Sequence, residues 1–84
     1  MKKLVTVVEA RHVSGHRLRL RFSDAAEKTV DFSLWLRGEV FEPLRDVRAF
    51  KKFFVAGGTV CWPGGADIAP ETLWEAEDVA ASAA

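Results

Sequence analysis

An α+β fold, with a three-stranded antiparallel meander, a second hairpin and two short helices, is what three features of this sequence predict. Residues 16–22 alternate strictly between polar and apolar side chains, two apolar runs flank a Gly-Gly pair, and two later segments, each near a proline, change to a helical period. At 84 residues the chain is long enough for one core and too short for two. Residues 1–79 therefore read as a single domain, and 80–84, which add no core-forming side chain, as a frayed tail.

The elements follow in order. Leu4 to Val13 is rich in β-branched residues and reads as a first strand, closed by a turn at Ser14-Gly15. His16 to Phe22 is the clearest strand: its period of two sets Leu18, Leu20 and Phe22 on one face and Arg17, Arg19 and Arg21 on the other. Ser23 to Ala26 supplies a turn, and Lys28 to Phe32 a third strand. Pairing Leu18, Leu20 and Phe22 with Phe32, Val30 and Lys28 keeps the apolar faces together and sets Arg19 opposite Asp31.

Ser33 can cap a short turn carrying Leu34, Trp35 and Leu36, which Gly38 ends. Pro43 or Asp46 then opens an amphipathic helix of about two to three turns, with Leu44, Val47, Phe50 and Phe54 near one face. Phe54 to Ala56 and Thr59 to Trp62, joined by Gly57-Gly58, form the second hairpin, because paired glycines accept the positive φ of a two-residue turn. Pro63 breaks it, and Pro70 opens a final short helix anchored by Leu73, Trp74 and Val79.

The charge is balanced: 12 Lys and Arg against 12 Asp and Glu give a formal net charge of zero. Binding to nucleic acid backbones rests on excess positive charge, so only a local patch could support it. The single cysteine, Cys61, has no intramolecular disulfide partner and fits a reducing compartment. The apolar run Leu4 to Val8 is too short for a secretory core or a membrane span, which makes a cytoplasmic location the expectation and a membrane no partner.

Trp62-Pro63-Gly64-Gly65-Ala66-Asp67-Ile68-Ala69-Pro70-Glu71-Thr72-Leu73-Trp74 resembles the C-terminal signature of the small bacterial family called domain of unknown function 2442. The earlier chain agrees in order: Leu18 to Phe22, the Asp31-Phe32 step, Leu34 or Trp35 to Gly38, Phe41 with Leu44, then Phe50. The departures are Gly64, where the family has asparagine, and Trp74, where it has tyrosine. The resemblance implies an α+β fold with no established enzymatic activity. It also implies a neighbouring gene of a second small family, domain of unknown function 4160, in a toxin–antitoxin-like pair. Longer relatives append a helix-turn-helix domain; this sequence ends before one, so operator reading is not expected of it.

Each candidate site has two readings. Asp67 can be a catalytic acid or metal ligand, but with no second carboxylate or histidine at a useful spacing it reads as the cap of the final helix. Trp62 and Trp74 flank the signature loop and read as packing its ends together, with Pro70 and Leu73 in the same structural motif. Trp35, with Leu36 and Phe41, lies on an irregular segment and is the better interface anchor. Arg17, Arg19 and Arg21 can meet phosphates or an acidic partner, although Glu27 and Asp31 on the neighbouring strand can neutralise part of the stripe and few aromatics interleave with it for base stacking. His12 and His16 flank a turn, with Cys61 as the sole soft ligand to join them, and read as ordinary strand-end residues.

The expectation is a non-catalytic protein-binding module with no cofactor and no metal, antitoxin-like partner of a neighbouring gene product or of itself as a homo-oligomer. The alternatives are a nucleic-acid accessory protein using the arginine face and a small-molecule binder between the sheet and the last helix.

Overall fold

A computed structural model describes residues 5–79; Leu4 of the expected first strand and the tail 80–84 lie outside the described residues. The meander is β1 (Val7–Ser14), β2 (Arg17–Phe22) and β3 (Glu27–Asp31), in the order β1-β2-β3 with both pairs antiparallel. A second, two-stranded sheet holds β4 (Phe54–Ala56) and β5 (Thr59–Cys61). The helices are α1 (Val47–Phe50) and α2 (Pro70–Glu75), so the α+β class stands.

Alternation in β2 does what its period demands. Leu18, Leu20 and Phe22 are buried, Arg17 and Arg21 are exposed and Arg19 is half-buried. On the apolar face the core adds Val7 from β1 and Val30, Phe32, Leu44, Phe50, Val60, Trp62, Ile68 and Leu73 from later segments. The sheet is thus covered on one side only, the usual solution for an antiparallel meander, and the molecule measures 36 × 32 × 19 Å.

Four expectations are corrected. Across β2 and β3 the register is Arg17↔Asp31, Leu18↔Val30, Arg19↔Thr29 and Leu20↔Lys28, so Arg19 does not face Asp31. The turn is tighter than expected: Asp24 Oδ1 accepts the Ala26 N–H at 3.0 Å, Ala25 takes a left-handed φ of 74°, and Phe22 N–H closes the loop on Ala26 O. Two residues fewer in the loop slide β3 by two, which keeps every side chain on its face. Second, Asp31 rather than Ser33 caps the 3₁₀ turn Phe32–Trp35, its carboxylate accepting from both Ser33 N and Ser33 Oγ.

Third, the expected helix of two to three turns is two pieces, a 3₁₀ turn over Glu42–Arg45 and the single-turn α1, with Asp46 extended between them as the cap of α1. An Asp46 side chain bonded to Arg48 N stabilises a fresh start more than it stabilises continuation. Phe54 accordingly belongs to β4 and is exposed, while Phe53 packs on the core. Fourth, the N-cap of α2 is Ala69, with no side-chain cap, so Asp67 does not cap it. Asp67 is exposed and its backbone bridges to Cys61, continuing the β5 edge.

Candidate interaction surface

The outer face of the meander carries the three arginines of β2, and the register sets a carboxylate against each. Arg17 meets Asp31 at 3.7 Å, Arg19 meets Glu27 at 3.4 Å and Arg21 meets Glu9 at 3.2 Å. Arg19 also donates to Thr29 Oγ1. Burial alone would raise the Asp31 carboxyl, but the Ser33 N–H and hydroxyl and the Arg17 guanidinium outweigh it and hold it below the ordinary value of 3.8. These cations are neutralised in place, and exposed pairs of this kind contribute little to stability.

The two edges of the sheet differ. Along β3, the Thr29 N–H donates to the Asp78 carboxylate at 3.1 Å, and Lys28 Nζ donates to the Trp74 and Ala76 carbonyls at the end of α2 while lying 4.9 Å from the Trp74 ring centre. Residues 76–79 therefore guard that edge. Sequence reasoning missed Lys28 and Asp78, because a contact spanning nearly fifty residues leaves no local pattern.

The segment between sheet and α1 divides its apolar residues. Leu36 is 2% exposed and belongs to the core, which removes it from the interface set. Leu34 is 71% and Val40 58% exposed, while Trp35 and Phe41 are half-buried against the core, Trp35 edge-on to Phe32 at 5.3 Å. A 3₁₀ turn makes this split: at three residues per turn, Phe32 and Trp35 share the inward side and Leu34 is left outside. Beside Trp35 opens a cleft of 200 Å³ lined by Val30, Asp31, Leu34, Trp35, Ala76, Glu77 and Val79.

The remaining candidates are structural. Trp62 is buried and its Nε1–H donates to Phe50 O at 2.8 Å; Trp74 packs on Phe22 at 5.3 Å; Leu73 is buried and Pro70 opens α2. His12 and His16 bond the Gly15 and Leu44 carbonyls through Nε2 and lie edge-on to Phe50. Among the described residues no group of three or more His, Cys, Asp or Glu side chains is placed to hold a metal ion, and no helix is long and apolar enough to cross a membrane. Glu39, Glu42, Pro43, Asp46 and Ala49 line a further, shallow groove.

The model of the family described as Protein of unknown function (DUF2442) matches residues 7–78. No curated protein and no solved structure matches the chain.

Proposed function

The chain belongs to the DUF2442 family, and from that premise we propose that it is a non-catalytic module that docks another protein chain, the small product of a neighbouring gene, through the segment Leu34 to Phe41. The observation that carries this reading is the open cleft beside Trp35 with exposed Leu34 on its rim. At 200 Å³ it is smaller than the roughly 300–1,000 Å³ of small-molecule sites, and its size suits one apolar side chain inserted by a partner. A half-buried tryptophan in a partly preformed slot is the usual anchor of such an interface. The Glu77 carboxylate at its margin favours a basic flank on the inserted segment, whereas Asp31 is already paired with Arg17. The arginine face is the weaker alternative, since each of its three cations already has a carboxylate. An antitoxin-like role for the pair follows from the proposal only if the neighbour is toxic alone.

The test is sedimentation of the purified chain with its neighbour. Leu34→Asp, at an exposed position that leaves the core intact, is expected to weaken the complex tenfold or more (roughly, from burying a charge at a hot spot). A triple Arg17, Arg19, Arg21 alanine variant is expected to change it little at physiological salt. The reverse pattern, or no complex at all, overturns the reading.

A further inference from the structure

We propose that the chain also self-associates, independently of the Trp35 surface, by pairing the open edge of β1 with β1 of a second copy in one defined antiparallel register. Unlike β3, whose Thr29 N–H is taken by Asp78, β1 has among the described residues a backbone bond on its outer edge only at its start, where Val7 N–H donates to Gly58 O. Among the described residues, β1 beyond Val7 pairs with no strand but β2. An edge left open in this way over the seven residues after Val7 is a template for another strand.

Which groups face outward follows from the hydrogen bonds of β2. Phe22 N–H points to β3, toward Ala26 O, and Ser23 N–H points to β1, toward Thr6 O. Odd residues of β2 therefore bond to β1 and even residues to β3. Opposite them, Glu9 and Arg11 face Arg21 and Arg19 and bond inward, while Ala10 and His12, facing Leu20 and Leu18, turn their N–H and C=O outward.

A symmetric antiparallel seam must set outward residues against outward residues, which leaves three registers. Ala10 on Ala10 places Glu9 opposite Arg11 twice. Ala10 on His12 places Arg11 against Arg11. His12 on His12 places Arg11 against Val13 and leaves Glu9 outside the strand pairing. Both side chains are exposed; Glu9 pairs with Arg21 of its own sheet at 3.2 Å and keeps its second carboxylate oxygen for a partner, and among the described residues Arg11 has no carboxylate within ion-pair distance. Charge complementarity thus selects the first register, with Glu9 and Arg11 in the closely spaced pairs that flank the central hydrogen bonds. Charged edges commonly repel other strands, but here the two charges are opposite in sign and two residues apart, so the edge is complementary to itself. The same register brings His12 of one copy opposite Val8 of the other, 50% exposed, and stops short of Val7, whose N–H is held by Gly58. The product is a continuous six-stranded sheet with both arginine faces on one side.

The test is sedimentation of the full chain across micromolar to millimolar concentration. Wild type is expected to dimerise, and Arg11→Glu or Glu9→Arg to weaken the dimer roughly tenfold by turning two attractive pairs repulsive. The combined Glu9→Arg, Arg11→Glu variant is expected to recover association, which unfolding cannot mimic; circular dichroism verifies that each variant is folded. Leu34→Asp is expected to leave the dimer intact, so this proposal and the partner surface fail separately. A chain monomeric at millimolar concentration, a dimer indifferent to Arg11→Glu, or a folded double variant that stays dissociated overturns it.

Discussion

Three turns of this molecule are fixed by aspartates that accept from a backbone N–H two residues on: Asp24 from Ala26, Asp31 from Ser33 and Asp46 from Arg48. Asp31 closes β3, caps the following 3₁₀ turn through Ser33 and pairs with Arg17. Replacing it by alanine removes a cap, and Asp31→Ala is expected to cost about 1 kcal/mol at pH 7, the middle of the capping range, because much of the carboxylate stays solvated. The pH dependence has a definite sign. The folded-state pKa is depressed below 3.8, so the contribution is fully present above the unfolded value and is lost as pH falls through the folded one. Denaturant titrations of wild type and variant should differ at pH 7 and converge as the pH falls through the depressed folded-state value. A difference that grows on acidification would contradict this account. Asp67, one of the most conspicuous carboxylates in the sequence motif, has no such role at α2, and its position depends on its backbone bridge to Cys61.

At the level of elements, turn chemistry decides more than propensity does. Gly57 and Gly58 both take positive φ, 59° and 81°, as a two-residue hairpin with right-handed strand twist requires. Their surroundings differ. A Cβ on Gly57 meets nothing within 4 Å, whereas one on Gly58 would lie 2.9 Å from Thr6 Cγ2 and 3.0 Å from Thr6 Cβ. Gly57→Ala is expected to cost about 1 kcal/mol of left-handed strain. Gly58→Ala should add an overpacking cost of roughly 1–3 kcal/mol, because Thr6 leads directly into β1 and its Cβ cannot swing aside. Melting temperatures of the two variants check the order; equal shifts would mean that the hairpin docks elsewhere. The division of the 42–50 region into two short turns has a similar origin, in the bond from Asp46 to Arg48 N, which restarts the backbone where a continuous helix was expected.

Across the whole molecule, Trp62 joins segments that are otherwise short and separate. Its ring meets Phe32 at 5.8 Å and Phe50 at 5.6 Å, and its Nε1–H satisfies the Phe50 carbonyl at the end of α1. Trp62→Phe removes that donor and some ring volume together, with an expected loss of about 2–4 kcal/mol. The denaturant midpoint should fall with an unchanged slope; a loss under about 0.5 kcal/mol would show that the indole N–H is dispensable. Much of this architecture is written locally. The alternation of residues 16–22, the Gly57-Gly58 turn and Pro70 determine the strand faces, the second hairpin and the start of α2, because each acts through its own backbone torsions and a few neighbours. The β2–β3 register, the sinking of Leu36 beside exposed Leu34, the guarding of β3 by Lys28 and Asp78, and the open edge of β1 were decided by tertiary structure alone. Each depends on which distant segment reaches a surface first, and burial and edge pairing are properties of that arrangement, with no periodicity in the chain to record them.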